Sequence, residues 1–422
     1  MSNVSFQSKF PVKPRSVILA TMAHLAWRGA FVISGMLIFR LRSADDFAIF
    51  QFFNITAVGM ASYASLGLGQ AATRYFASSD GCIRMNHRGH AALILLVGFV
   101  MSLVAATVAY ALGDLMLGHA ADFRSQFSVL AAVYLFAGIV DGGMVGLGRF
   151  GWLLASNLVG AGALLCGFAL YADKLSLSKV VWLFCFTPAA SMVMNASVLL
   201  SVVVKSFPQP LGVLDLKKVI WDVFGFSLPL FGTGFIFISV PWLYGRLLQG
   251  SPELLASFAR FSIGLQWFSL VLLVPSMVTR VVAPHVFSEV DDGRGARDLL
   301  FKRSAFNAGI AAIVAAILIL LSETVLKLYG GQADSARADL IVMTIAAVFA
   351  STIGVIGTYV MAVRGASRWL ALMFVWGLCA AGALIIMLKI GVDVFSYGYL
   401  VAYIVLSGLA WWNISMLPAR SS

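Results

Sequence analysis

The chain has 422 residues, of which 61% are hydrophobic and 11% are charged, and its mean hydropathy is +0.94. This composition excludes a water-soluble protein and indicates an integral membrane protein. A helix needs about 20 apolar residues to cross a hydrocarbon core of roughly 30 Å, so about 12 spans would use almost the whole chain and exclude a large catalytic domain outside the membrane. In a membrane protein a net charge of +11 first reflects the lysines and arginines that set the orientation in the membrane. An anionic partner is a secondary interpretation.

Apolar runs separated by charged or Gly/Pro-containing breaks predict an all-α protein with twelve membrane-spanning helices. The runs lie at residues 16–39, 47–71, 90–113, 127–148, 152–171, 180–204, 223–247, 254–279, 304–326, 340–363, 369–388 and 394–417. The first run is too long for a signal-peptide core, and no small-residue cleavage site follows it. It is therefore expected to remain in the mature protein.

Lysine and arginine are about twice as frequent in the connections on one side of the predicted bundle as on the other. Cytoplasmic connections carry such an excess, which predicts that both termini of this multi-pass protein are cytoplasmic. Arg40 and Arg42, in the first outer connection, run against this bias.

The two halves of the chain resemble each other. The segment DFAIFQFFNI at 46–55 aligns with LLASFARFSI at 254–263, and a Thr-Arg-x-x-Ala pattern follows in each half, at 73–77 and 279–283. With six spans per half, the repeats would have the same orientation, related by an axis normal to the membrane, with a site between them. This predicts a six-helix lobe at 1–204, a cytoplasmic linker at 205–222 and a second six-helix lobe at 223–422.

Arg28 lies near the middle of the first span, where an arginine costs roughly 2.5 to 3.5 kcal/mol on insertion scales. Thr21, His24 and Arg28 are spaced three and four residues apart, so they share one polar helix face. Two interpretations stay open: Arg28 lines a cavity as a cation, or it has a structural role, in which it snorkels or pairs with an acid such as Asp141 to hold helices together.

Arg260 repeats this situation in the eighth span, on a row that continues to Trp267. It could equally be an interfacial anchor, because it lies only about two turns from the start of its span. The matching position in the first half lies beside Gln51 and Asn54, so amides occur there in place of a guanidinium.

Asp141 is the clearest acid within a span. Gly138, Gly142 and Gly146 surround it at four-residue spacing and form a face that allows another helix to approach closely. Asp141 is either a salt-bridge partner of an intramembrane arginine or a proton or cation coupling site.

The seventh span contains two prolines, Pro229 and Pro241, together with Gly232 and Gly234. Each proline removes a helical hydrogen bond and bends the axis, so a broken helix that serves as a gate is expected here. Tight packing without movement is the alternative.

Two charge-rich connections, at 74–90 and 280–303, occupy matching places in the two halves. Contact with anionic membrane lipids explains most of this pattern, and a cytoplasmic mouth that gathers a phosphate-bearing substrate is the functional interpretation. Glu323 and Lys327, four apart near a helix end, suggest a surface ion pair. The histidines and the four cysteines form no spaced metal cluster, and nucleotide loops and hydrolase motifs are absent, so neither a metal, a cofactor nor a nucleic-acid partner is predicted.

The twelve-span repeat, with GLGQAATRYFAS at 67–78 ending the second span and its Thr-Arg-x-x-Ala counterpart ending the eighth, resembles the polysaccharide-biosynthesis flippase family of the superfamily that also holds MATE exporters. This Wzx-type resemblance implies movement of an undecaprenyl-diphosphate-linked oligosaccharide across the bacterial inner membrane, for O-antigen or exopolysaccharide synthesis. It also implies a polysaccharide polymerase and a chain-length regulator as partners.

The resemblance implies a cationic central cavity in which Arg28 and Arg260 contact the diphosphate, with His24 beside them. Gln51, Asn54 and Trp267 would contact sugars, and Asp141 would balance charge or couple transport. A MATE-like, cation-coupled multidrug exporter is the main alternative, although the first span holds no acid. A membrane polymerase or acyltransferase would normally need longer outer loops, and a scaffold role would leave the repeat and the intramembrane arginines unexplained.

Overall fold

The computed structural model describes residues 14–76, 83, 87–171, 176–206, 216–279, 296–364 and 366–415. Twelve long helices account for most of these residues, in the order and near the positions that the apolar runs predict. We number them α1 (Pro14–Leu41), α2 (Ala44–Ser65), α3 (Arg88–Ala111), α4 (Arg124–Gly146), α5 (Phe150–Tyr171), α6 (Leu177–Ser206), α7 (Leu216–Leu247), α8 (Pro252–Val271), α9 (Ala296–Leu320), α10 (Arg337–Arg364), α11 (Ala366–Ile390) and α12 (Ser396–Ser415).

Within the described residues, ten segments are long and apolar enough to cross a membrane. They include parts of every long helix except α7 and α12. Many large apolar side chains on these helices face outward, among them Leu96 and Leu170. Outward-facing apolar side chains are expected where a helix meets lipid, since hydrocarbon does not expel them. The all-α membrane fold is therefore confirmed.

The internal repeat is visible in the packing. In the first half α1 packs on α5, α3 on α4, and α4 on α6; in the second half α7 packs on α11, α9 on α10, and α10 on α12. The helix starts match as well, because Ser43 and Ser251 cap α2 and α8 in the same way. Their hydroxyls accept hydrogen bonds from the backbone N–H groups of Asp46 (3.0 Å) and Leu254 (3.4 Å).

The second and eighth apolar runs each contain two helices, where the sequence predicts one. Helix α2 ends at Ser65, where Leu66 (φ 46°) and Gly67 (φ 78°) adopt left-handed backbone conformations, and a short helix, Leu68–Tyr75, follows. Helix α8 ends at Val271 without a left-handed turn, since Leu272 (φ −74°) has a right-handed backbone conformation, and helical residues 273–279 follow. The sequence predicts one run at 47–71 because Leu66, Leu68 and Ala71 extend the apolar pattern of α2, although the short helix that follows is more polar, with Gln70, Thr73 and Arg74.

The small-residue face of α4 packs as its spacing predicts. A β-carbon on Gly142 would collide with the backbone carbonyl of Gly69 in the short helix after α2, and one on Gly69 would lie 3.0 Å from the carbonyl of Gly138. The two backbones are therefore in direct contact, which only glycine permits.

The helices extend into the predicted linker at 205–222. Helix α6 continues to Ser206 and α7 begins at Leu216, while residues 207–215 lie outside the described part of the chain. The expectation that the seventh span is broken is wrong. Helix α7 runs without interruption past Pro229 and Pro241, because its other backbone hydrogen bonds maintain the helix on both sides of each proline.

Candidate functional site

The two halves meet along a seam that α1 and α2 form with α7 and α8. We call the face of the bundle at which α1 and α7 begin the proximal face, and the face at which α1 connects to α2 the distal face. A site placed between two parallel repeats must lie on this seam, so the predicted site residues are located relative to it.

Aromatic side chains close the distal part of the seam. The Tyr329 ring, in the short helix Ser322–Tyr329 of the second half, meets the edges of Phe39 and Phe47 from the first half at centroid distances of 5.9 and 6.2 Å. The Tyr329 hydroxyl donates a 2.8 Å hydrogen bond to Gln266 of α8, which fixes the ring orientation. All four side chains are buried. We refer to Phe39, Phe47, Tyr329 and Gln266 as the distal plug.

Helices α2 and α7 stay in contact over much of their length. The Tyr63 ring packs on Phe235 at 4.7 Å, and its hydroxyl lies 2.9 Å from the hydroxyl of Ser239. Farther towards the proximal face, the Tyr75 hydroxyl donates a 3.1 Å hydrogen bond to the backbone carbonyl of Asp222. This side of the seam therefore joins the lobes from the middle of the bundle to its proximal end.

Arg28 lies on the seam itself. Its guanidinium Nη1 donates a 2.8 Å hydrogen bond to the backbone carbonyl of Ser269, which belongs to α8 of the opposite lobe. The side chain is partly buried, and His24, one turn closer to the proximal face, is partly buried too. A cation is therefore held at mid-helix between the lobes.

Arg260 faces away from the seam. Its Nη2 donates a 2.8 Å hydrogen bond to Ser257, and it interacts electrostatically with Asp339 of α10. Nine residues of helix separate Arg260 from Ser269, which places them about 13 Å apart along the α8 axis and on opposite faces. In this conformation Arg28 and Arg260 therefore do not converge on one point.

Asp339 is a buried acid that the sequence analysis overlooked. Its side chain is 1% exposed and accepts hydrogen bonds from the backbone N–H of Ser396 (3.3 Å) and from the Ser396 hydroxyl. The residue lies one position before the predicted start of the tenth span, where a carboxylate looks like ordinary surface. Only the packing of α10 against α12 shows that it is enclosed.

Asp141 has a different partner from the expected arginine. Its carboxylate accepts a 3.1 Å hydrogen bond from the Asn195 amide of α6, inside the first lobe. Among the described residues it forms no ion pair, so the salt-bridge interpretation is wrong for this conformation. The geometric reason is that Arg28 points from α1 towards α8, away from α4.

The predicted sugar-contacting residues occupy different environments. Gln51 is 3% exposed on α2, and its Nε2 has no hydrogen-bond partner among the described residues. Asn54 accepts a 3.1 Å hydrogen bond from the Tyr134 hydroxyl, within the first lobe. Trp267 is partly buried against the apolar core. Pro241 is buried in α7, and the side chain of Pro229 lies outside the described residues.

The predicted surface ion pair is confirmed. The Lys327 ammonium lies 2.7 Å from the Glu323 carboxylate, and both side chains are exposed. The hydrogen bond and the positive charge of Lys327 hold the pKa of Glu323 below its usual value. Such an exposed pair contributes little to stability.

The charge-rich connections are only partly described, since residues 280–295 and most of 77–86 lie outside the described ranges. The described ends of the connection at 74–90 line a cavity of about 680 Å³ at the proximal end of the seam. No group of three metal-ligating side chains occurs among the described residues.

Several solved structures that share this fold are described as multidrug transporters. An inward-facing multidrug resistance MATE family transporter of the MOP superfamily superposes with a TM-score of 0.71 at 13% identity, over 96% of this chain and 100% of that one. An outward-facing transporter of the same description gives 0.69 at 15% identity, over 96% of each chain. The MATE multidrug transporter DinF-BH gives 0.67 at 16% identity, again over 96% of each chain.

No protein-family model matches the sequence, and no curated protein is significantly similar to it. At these identities the structural likeness establishes the fold alone. The chain therefore has the twelve-helix architecture of MATE transporters.

Proposed function

We propose that this protein is a flippase that moves undecaprenyl-diphosphate-linked oligosaccharides from the cytoplasmic to the periplasmic leaflet of a bacterial inner membrane. The lobes would expose the seam alternately to the two sides, with the proximal face and both termini in the cytoplasm. The observation that carries the proposal is Arg28, a cation held between the lobes at mid-helix by the Ser269 carbonyl.

A neutral carbonyl is a weaker partner for a guanidinium than a phosphate is. A diphosphate that enters the seam would therefore compete with the Ser269 carbonyl for the guanidinium of Arg28, to which it offers both an opposite charge and paired acceptors. Because the Arg28–Ser269 hydrogen bond joins the lobes, its exchange for a phosphate contact would couple loading of the substrate to movement of the lobes.

The remaining site residues have roles that the substrate chemistry suggests. Each sugar hydroxyl without a hydrogen-bond partner costs a few kcal/mol in hydrocarbon. The sugar hydroxyls and rings would therefore contact Gln51, Asn54 and Trp267. Arg260 would become a second phosphate contact once the lobes rearrange, and His24 would add a donor beside Arg28.

Asp141, inside the first lobe, would balance charge or couple transport to a cation. Bending of α7 at Pro229 and Pro241 would allow it to act as a gate while remaining a helix.

Deletion of the protein tests the proposal directly. We expect accumulation of a lipid-linked repeat unit that faces the cytoplasm, and loss of surface glycan. Arg28→Ala should reproduce the export defect at a normal membrane level, because removal of an intramembrane charge does not hinder insertion. Arg42→Ala, which removes an exposed cation paired with Asp46 at 2.6 Å, is the matched control and should export normally. Normal glycan export by Arg28→Ala would refute the assigned role.

A cation-coupled multidrug exporter is the second candidate. Two observations favour it: the fold neighbours are multidrug transporters, and two buried acids, Asp141 and Asp339, are available for coupling. Asp141→Asn distinguishes the two functions. Loss of drug resistance with normal glycan export would favour the exporter, and loss of glycan export with unchanged drug resistance would favour the flippase.

A further inference from the structure

A second group of cations lies at the proximal end of the seam, far from Arg28. The cavity of about 680 Å³ there is lined by residues of both lobes. The first lobe contributes Arg74 and Tyr75 from the short helix after α2, and His87 and His90 from the start of α3. The second contributes Lys218, Trp221, Asp222 and Gly225 from the first turns of α7.

The walls of this cavity are fixed by contacts between rings and across the lobes. The Tyr75 ring stacks on His90 with a centroid distance of 4.5 Å and an interplanar angle of 10°. His90 Nε2 lies 3.3 Å from the Asp222 carboxylate, and the Tyr75 hydroxyl donates to the Asp222 backbone carbonyl. The buried Nδ1 of His90 has no hydrogen-bond partner among the described residues.

The charge balance of the cavity favours an anion. Among the described lining residues Asp222 is the one acid, and its carboxylate already faces His90. Arg74 and Lys218 line the same space from opposite lobes with exposed side chains. An anion that enters can therefore approach two permanent cations, with the two histidines as additional donors.

The level of the cavity in the membrane identifies the kind of anion. Trp221 is 79% exposed, and Leu228, two turns farther along the same face of α7, is 54% exposed. An outward-facing tryptophan between lysines and an exposed leucine is typical of the boundary between headgroups and hydrocarbon. The cavity opens at this boundary, where phosphate groups of lipids are concentrated.

We propose that this proximal cavity is a phosphate-binding site, separate from the central arginines, that takes the headgroup phosphate of an anionic membrane lipid. Because Arg74 and Lys218 belong to different lobes, a bound phosphate bridges them. It thereby stabilises the conformation in which the proximal ends of α3 and α7 are together. The site is independent of the transported cargo, and it belongs to the α2–α7 side of the seam, not to the α1–α8 side where Arg28 lies.

Binding can be measured by native mass spectrometry on the full-length, delipidated protein in detergent. Phosphatidylglycerol is the anionic probe, phosphatidylcholine the zwitterionic comparison and inorganic phosphate the soluble one. The test variant is Arg74→Gln with Lys218→Gln. The matched control is Lys205→Gln with Lys217→Gln, which removes the same charge from exposed proximal positions outside the cavity lining.

We expect the test variant to bind phosphatidylglycerol about 25-fold more weakly than the unmodified protein, at roughly fivefold for each cation removed. The control variant should bind nearly as the unmodified protein does, and phosphatidylcholine should bind weakly to all three.

Thermal stabilisation by inorganic phosphate that only the test variant loses would support the phosphate site, and would assign it to a soluble phosphate. Equal weakening in both variants, or no weakening in either, would overturn the proposal. Size-exclusion profiles check folding, and the exposed single variant Lys218→Gln, expected to lose about fivefold, replaces the double variant if that one aggregates. Since no transport is measured, failure here leaves the proposed function untouched.

Discussion

The distal plug should set the balance between the two orientations of the seam. Tyr329 contributes two edge-on aromatic contacts across the lobes, to Phe39 and to Phe47. Each such pair contributes about 0.5 to 1.5 kcal/mol beyond the burial of area, so Tyr329→Leu should destabilise the closed distal end by roughly 1 to 3 kcal/mol. The variant also leaves Gln266 without its buried donor, and that loss is relieved when opening admits water. Both effects act in the same direction.

A change of this size is about 5- to 150-fold in the ratio of the two conformations. A population that is closed 99 to 1 would shift to between about 5% and 60% open. Double electron–electron resonance can measure this shift with spin labels at Asp45→Cys and Glu253→Cys in a background without the native cysteines. These exposed positions lie in the first turns of α2 and α8, one in each lobe, so their separation should grow as the distal end opens.

Tyr403→Leu is the matched control. Tyr403 is equally buried, and its ring neighbours Phe268, Trp376 and Tyr399 all belong to the second lobe. This variant should lower thermal stability without changing the distance distribution, because it removes no contact between the lobes. Unchanged distances in Tyr329→Leu, or an equally large change in Tyr403→Leu, would show that the distal plug does not hold the lobes together.

Other predictions concern single positions. Gly142→Ala should lower the free energy of unfolding by about 1 to 3 kcal/mol, because its β-carbon meets backbone, whereas Gly138→Ala, with open space around it, should be close to neutral in a thermal-denaturation assay. Arg28→Lys keeps the charge but loses the planar donor fork, so it should retain part of the glycan export that Arg28→Gln loses; equal export by both would argue against phosphate recognition. Lys327→Ala should leave the melting temperature unchanged at neutral pH, because the Glu323–Lys327 pair is exposed to solvent. A large drop would show that this pair stabilises the protein more than an exposed ion pair normally does.

The sequence was informative wherever the signal is local along the chain. Twelve apolar runs predict twelve helices because a membrane requires about the same length of apolar helix at every crossing. The repeat could be found because the segments at 46–55 and 254–263 align and a Thr-Arg-x-x-Ala pattern follows each of them. The structure adds that Ser43 and Ser251 cap the two equivalent helices. The close approach at Gly142 could be predicted because only small residues allow two backbones to touch.

Breaks inside an apolar run were harder to predict from the sequence. The turn at Leu66 divides the second run, although the residue in the turn is itself apolar and is followed by a further helix. Conversely, Pro229 and Pro241 suggested a break in α7 where the helix continues. A proline removes one hydrogen bond, and whether the helix also ends depends on the packing of the flanking turns.

Local composition along the chain predicts the class of protein, the number of long helices and an intramembrane cation at Arg28. The folded chain was needed to show what that cation meets, that Arg260 faces α10, and that Asp339 is enclosed. The physical reason is that helical periodicity places residues on a common face but does not say which neighbour covers that face. The packing of the two lobes decides which neighbour covers a face. It brings residues that are hundreds of positions apart in the sequence into hydrogen-bonding distance.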